Sequence, residues 1–290
     1  MQIRFVAGAA ATIVVSQRLW ASTNMKSVIV IPARYGSSRF PGKPTALING
    51  MPMLERTWRI ARQAAADQVI IATDDERIED LARRFGAEAV RTSHDCANGT
   101  ERVYEALSQL GAEPDIVLNL QGDAVLTPPW ILSDLIKAMR SDRSIRIATP
   151  ATRMTMQQYN DMVEQKKRGI VGGTMVVFDK RYNALYFSKS PVPFLRQESS
   201  AGAEIPFYRH IGLYGYTWAA LKEYLELPAG PLEKAEGLEQ LRALENGIPI
   251  RIVPVDYKGR THWSVDSPDD VARVEQIIAA QGELFDLAKR

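Results

Sequence analysis

A single cysteine, Cys96, stands in this chain, which excludes an intrachain disulfide and a cysteine-based zinc cluster. With no His/Asp arrangement set against it, Cys96 reads as a small, partly buried residue and not as a nucleophile. An excess of one charge is also missing. The formal net charge is only +2, short of the clustered basic surplus that holds a nucleic-acid backbone. No internal repeat and no low-complexity linker interrupts the chain. No apolar run reaches the ~20 residues that a membrane-spanning helix needs. What is present is ordinary for a soluble globular protein: 46% hydrophobic and 24% charged residues over 290 positions, enough to bury a full core without staples.

From Val28 to Ala148 short apolar runs alternate with amphipathic segments. Val28-Ile29-Val30-Ile31, Val69-Ile70-Ile71-Ala72, Ala89-Val90, residues 116–120 and Ile147-Ala148 read as strands. Residues 53–65 have helical spacing, with Leu54, Trp58, Ala61 and Ala65 on one face. Helices follow at 75–85 and 100–110, stopped by Gly86 and Gly111, and at 128–139. Continuous apolar strands alternating with helices predict an α/β fold, a mostly parallel sheet flanked by helices. After about Pro150 the pattern changes. A helix at 155–166 precedes strand-like runs at 175–178, 184–187 and 211–216, split by Pro191, Pro193 and Pro206, which reads as an antiparallel insertion. Helices at 219–225 and 237–246, a strand at 250–255 and a helix at 268–280 complete the chain. Ser267, Pro268, Asp269 and Asp270 supply the cap and acidic first turn of that last helix.

Ligands of such sheets bind beyond the carboxyl ends of the strands. The first strand runs into Pro32-Ala33-Arg34-Tyr35-Gly36-Ser37-Ser38-Arg39-Phe40-Pro41-Gly42-Lys43-Pro44. Glycines let backbone approach a ligand, successive N–H groups cradle an anion, and arginine forks match phosphate oxygens. The Walker A spacing is absent. A basic run alone is as readily a solvated surface; its place after the first buried strand turns it towards phosphate. The strand at 116–120 ends in Gln121-Gly122-Asp123, a carboxylate suited to Mg²⁺. Asp266 stands before the last helix. Either aspartate alone also suits a turn.

The loop resembles the signature loop of the 3-deoxy-manno-octulosonate (KDO) cytidylyltransferases. Further similar blocks are Ala72-Thr73-Asp74-Asp75, Asn98-Gly99-Thr100-Glu101-Arg102, Leu120-Gln121-Gly122-Asp123, Ala184-Leu185-Tyr186-Phe187-Ser188, Arg209-His210-Ile211-Gly212-Leu213-Tyr214-Gly215-Tyr216, Leu238-Glu239-Gln240-Leu241-Arg242 and Val265-Asp266-Ser267-Pro268-Asp269-Asp270. The resemblance covers nearly all of the chain after Met25. It implies a Rossmann-like nucleotide-diphospho-sugar transferase fold that transfers CMP from CTP to the anomeric hydroxyl of KDO, for lipopolysaccharide or capsule synthesis. By the same resemblance Arg34 and Lys43 hold the triphosphate, with Ser37 and Arg39 near. Ala33, Thr73, Asp74, Gly99, Thr100, Arg102 and Gln121 bind the nucleotide, and Asp123 and Asp266 bind Mg²⁺. Lys189, His210, Tyr214, Glu239 and Gln240 take the sugar acid. The catalytic set is then Arg34, Lys43, Asp123 and Asp266. A homodimer is implied, with residues of about 170–217 as an inserted sugar-binding and dimerisation part of one domain spanning 25–290.

Three positions depart from the family pattern: Ala124 replaces the usual Glu, Met175 the usual Lys and Lys189 the usual Arg. They keep open a different 3-deoxy ulosonic acid as acceptor, or a catalytically silent nucleotide-binding relative. Retention of both Asp123 and Asp266 speaks against the silent relative. A sialic-acid type is disfavoured by Phe40-Pro41-Gly42-Lys43-Pro44. Arg4 and the apolar stretch 5–15 have the dimensions of a signal peptide, with Ala21 and Ser22 as a cleavage site. A CTP-using enzyme has its substrate in the cytoplasm, however, and the strand pattern starts at Ser27. Residues 1–24 are therefore expected to be a non-native or disordered extension of a cytoplasmic protein, with no nucleic-acid partner and no membrane insertion.

Overall fold

The structure, a computed structural model, describes residues 25–36, 40–169, 172–195 and 207–287. The expectation for residues 1–24 lies outside them. Three strands carry the logic of the fold: β1 (Ser27–Pro32), buried throughout, a strand at Gln68–Thr73 and one at Ile116–Leu120. Side chains alternate across a strand, so Val28 and Val30 pack with Val103 and Leu107 on one face. Ile29 and Ile31 pack with Leu54, Ile78 and Leu135 on the other. Burial on both faces forces helices onto both, the arrangement that parallel sheets require.

In chain order β1 is followed by β2 (Leu47–Ile48), β3 (Met51–Pro52), α1 (Met53–Arg62), β4 (Gln68–Thr73), α2 (Glu76–Arg84), β5 (Glu88–Arg91), α3 (Gly99–Gln109), β6 (Ile116–Leu120), α4 (Pro129–Ser141) and β7 (Ile147–Arg153). Then come α5 (Met156–Lys167), β8 (Met175–Phe178), β9 (Ala184–Ser188), β10 (Tyr208–His210), β11 (Leu213–Tyr216), α6 (Trp218–Glu226), α7 (Pro231–Glu236), α8 (Leu241–Glu245), β12 (Ile250–Val255) and α9 (Pro268–Gln281). β5, β4, β1 and β6 are parallel neighbours in that order. Ile29 pairs with Val69 on one side and Leu118 on the other. The ends of β1, β4 and β6 thus open on one edge of the sheet.

β11 enters antiparallel between β6 and β7. Ala148 pairs with both Gly215 and Arg251, and Ala151 with both His210 and Pro254. β10 and β11 therefore share one edge of β7 and β12 takes the other. β8 and β9 continue the sheet beyond β10.

The sequence reading differs from the structure in four places. The strand expected at 211–216 is β11, which begins only at Leu213 because Ile211 and Gly212 lie outside the ladder, and β10 just before it was not expected. The helix expected at 237–246 is only α8, from Leu241 to Glu245, because Gly237 adopts a left-handed φ of 62° and ends the unexpected α7, the usual glycine stop. α1 ends at Arg62, short of Ala65. The β2–β3 hairpin was unforeseen, although Asn49-Gly50, with φ of 47° and 75°, is a strong signal for a two-residue turn. Among the described residues no helix is long and apolar enough to cross a membrane.

Candidate active site

The segments after β1, β5 and β6 meet α3 and the approach to α9 around a cleft of about 230 Å³. Ala33, Arg34 and Lys43 line it from the first loop, Asn98, Gly99 and Arg102 from the start of α3, Gln121 and Asp123 from beyond β6, and Asp266 from before α9. Gly122 and Gly99 have the space of glycine only. A Cβ on Gly122 would lie 3.2 Å from the Pro32 carbonyl oxygen, and one on Gly99 3.2 Å from Pro32 Cγ. The close approach of three loops depends on both.

Lys43 reaches across the cleft and donates from Nζ to Asp123 Oδ2 at 2.5 Å. Arg34 is exposed at the mouth. Two expected phosphate ligands, Ser37 and Arg39, lie outside the described residues. Asn98 caps α3, accepting from the Glu101 N–H at 2.9 Å. The start of that helix lines the cleft at Asn98 and Gly99, and its positive dipole end favours an anion.

Arg102 is buried at 3% exposure. It donates to Asp74 Oδ2 at 2.8 Å, Thr92 Oγ1 at 2.5 Å and the Ser93 carbonyl at 3.3 Å. Thr73 Oγ1 accepts from the Asp75 N–H at 3.2 Å. Thr100 Oγ1 accepts from Asn119 Nδ2 at 3.2 Å, and Asn119 Oδ1 accepts from Gln121 Nε2 at 3.3 Å. Of the expected nucleotide residues, Ala33, Arg34, Lys43, Gly99, Arg102 and Gln121 line the cleft, while Thr73, Asp74 and Thr100 stand behind that rim. Pro32, Met53, Asn98 and Gly122 also line the cleft without having been foreseen. Of these Asn98 alone left a mark in the sequence, as the residue before a helical pattern.

Cys96 lines the cleft too. Its Sγ donates to Glu105 Oε2 at 2.9 Å, and burial together with that carboxylate pushes the thiol up to about 12. It stays protonated and inert, as its lone occurrence suggested.

Asp123 and Asp266 come from adjacent segments joined by the Val265 N–H donating to the Asp123 carbonyl at 3.4 Å. No group of three or more His, Cys, Asp or Glu converges among the described residues. Two hard carboxylates in an open cleft that also holds the cationic Arg34 and Lys43 suit Mg²⁺, which keeps waters and binds through one or two carboxylates. The donor set fits Mg²⁺.

None of the expected acceptor residues lines the cleft. Glu239 is held by Thr100 Oγ1, which donates to its Oε2 at 3.4 Å, so the two sets meet there. Gln240 is buried, and its Nε2 has no hydrogen-bond partner. The ring of His210 sits 5.5 Å from that of Tyr214 and 5.0 Å from that of Phe187. Thr149 Oγ1 donates to the Leu213 carbonyl at 2.7 Å and lies 2.8 Å from His210 Nε2. One hydroxyl proton cannot serve both, so this network puts the imidazole proton on Nε2 and leaves Nδ1 an acceptor. The Lys189 N–H donates to Glu236 Oε2 at 2.8 Å. Met175, fully buried, packs with Met154, Tyr159, Met162 and Phe207, so the position that usually holds a cation is apolar core here.

Burial, aided by His262 and Lys189, holds the His210 imidazole down to about 3, and burial beside Arg209 holds His262 down to about 4. Both are neutral in the native protein while the unfolded chain takes up protons near pH 6.5. The unfolded state therefore binds more protons between those values, and stability falls on acidification through that window. The expected loss from pH 7 to pH 5 is about 2 kcal/mol for His210 alone. Urea unfolding at the two pH values reads it, and equal stabilities would contradict a buried neutral imidazole.

A family model described as cytidylyltransferase matches residues 28–252. A 3-deoxy-manno-octulosonate cytidylyltransferase of Maricaulis maris is 52% identical over 261 residues, covering 90% of this chain and 100% of that protein. A mitochondrial enzyme of the same name from Arabidopsis thaliana is 38% identical, covering 86% of this chain and 82% of that one. Among solved structures, a CMP:2-keto-3-deoxy-manno-octonic acid synthetase complexed with CTP superposes with a TM-score of 0.77 at 36% identity. It covers 88% of this chain and 99% of its own.

Proposed function

This chain belongs to the family of 3-deoxy-manno-octulosonate cytidylyltransferases, and we propose that it transfers CMP from CTP to the anomeric hydroxyl of KDO. The observation that carries the reading is the meeting of Lys43, Asp123 and Asp266 with the start of α3 in one cleft at the strand ends. The sugar oxygen attacks the α-phosphorus, the new P–O bond forms, and the bond to the β-phosphate oxygen breaks to release pyrophosphate. Such chemistry depends mainly on positioning and neutralised charge, and needs no covalent nucleophile.

Arg34 and Lys43 hold the triphosphate, joined by Ser37 and Arg39. Ala33, Thr73, Asp74, Gly99, Thr100, Arg102 and Gln121 hold cytosine and ribose. Asp123 and Asp266 would hold Mg²⁺, which when bound neutralises phosphate charge and acidifies a hydroxyl. A neutral His210 orients the acceptor by hydrogen bonding, together with Tyr214, Glu239, Gln240 and Lys189. The enzyme works in the cytoplasm as a homodimer, and its product serves lipopolysaccharide or capsule synthesis.

Met175 favours a second reading, in which the acceptor is another 3-deoxy ulosonic acid. An apolar residue in place of a lysine removes one charge from the acceptor side. Pyrophosphate release should be measured with each nucleoside triphosphate and a panel of such acids. Turnover is expected with CTP and KDO; turnover with CTP and only a different acid would move the assignment to the second reading. No turnover with any acid would sink both.

A further inference from the structure

Tyr35 and Arg77 have no place in the nucleotide or acceptor sets, yet they join the loop to the rim. The Gly42 N–H donates to the Tyr35 carbonyl at 3.0 Å, closing the neck of the loop directly before Lys43. The Tyr35 ring lies on Gly42: a Cβ there would be 3.1 Å from the phenol oxygen and 3.2 Å from Cζ. Gly42 also has φ of 70°, so backbone and space both demand glycine. On the ring the Arg77 guanidinium sits with Cζ 3.3 Å from the centroid, a cation on an aromatic face.

Asp75 fixes that guanidinium in a fork, accepting from Nε at 2.9 Å and Nη2 at 2.6 Å. The same carboxylate caps α2 through the Arg77 N–H at 2.9 Å. Its neighbour Asp74 receives Arg102. A bonded path therefore runs from Gly42 through Tyr35, Arg77 and Asp75 to the edge that holds Asp74. The Arg77 side chain is 62% exposed, and an ion pair so solvated adds little to stability. Its fork and stack serve geometry.

We infer that Arg77 is a positioning residue: stacked on Tyr35, it holds the neck of the phosphate loop at a fixed distance from the rim, so that Lys43 is set for the triphosphate. The inference rests on CTP being the nucleotide. CTP binding with Mg²⁺ by calorimetry, CTP and acceptor kinetics, and melting temperature should be measured for the unchanged protein, Arg77→Ala, Arg77→Lys, Tyr35→Leu and the double variant Tyr35→Leu/Arg77→Ala.

Arg77→Ala and Tyr35→Leu are each expected to weaken CTP binding and raise its KM by about 2–5-fold. The double variant should be no worse than either, Arg77→Lys should lie between, and the acceptor KM and melting temperature of Arg77→Ala should stay in place. Unaltered CTP affinity in Arg77→Ala, losses that multiply in the double variant, or a fall in melting temperature that accounts for the loss would overturn the inference. Failure of the unchanged protein to bind CTP would instead overturn the cytidylyltransferase reading.

Discussion

Asp123→Asn loses turnover while the fold stands. Asp123 follows β6, faces Lys43 and is 26% exposed, so the amide fits the space of the carboxylate and no core packing changes. What disappears is the negative charge. With it go the partner of the Lys43 ammonium and half of the carboxylate pair suited to Mg²⁺. Charge neutralisation at a phosphoryl centre is worth several kcal/mol, so a loss of at least about 1,000-fold in kcat is expected. Pyrophosphate release reads the loss, and circular dichroism melting confirms the fold. A variant with full activity would remove Asp123 from the metal site.

Arg102→Leu is expected to damage both stability and binding. The arginine is 3% exposed and its three acceptors are Asp74, Thr92 and Ser93. Asp74 is itself only 12% exposed. Removing one partner of a buried pair strands the other, at a cost of about 3–5 kcal/mol, a large part of a typical domain's stability. Urea unfolding measures this. The double variant Asp74→Leu/Arg102→Leu should regain stability, because the stranded charge is gone, yet still fail to bind CTP. Normal CTP binding by the double variant would remove the pair from the nucleotide site.

The parallel half of the fold was legible because its strands are continuous apolar runs that no exposed element tolerates. The strand ends then pointed to Arg34, Lys43 and Asp123 before any coordinates. Legibility failed where long-range geometry decides. Residues 211–216 read as one strand from their own pattern; only the gap between β6 and β7 sets where pairing begins, at Leu213. Gly237 was taken as a helix start although glycine with positive φ is a stop, and the Pro231 start after Gly230 went unread. The carboxylate partner of Lys43 and the aromatic partner of Arg77 are set by tertiary folding, with no local periodicity to announce them. Arg102 is a further case. On a helix an arginine reads as a solvated residue, and only the approach of the segments after β4 and β5 to α3 buries it among Asp74, Thr92 and Ser93.

On the proposed function, the cleft joins CMP to a sugar acid and does more than bind or hydrolyse a nucleotide. Phosphorus NMR of the protein with CTP, Mg²⁺ and KDO tests it directly. A new phosphodiester signal, growing in equal amount with pyrophosphate as CTP declines, is the expected result. CTP left intact, or converted to CMP and pyrophosphate with no phosphodiester signal for any 3-deoxy ulosonic acid, would contradict it.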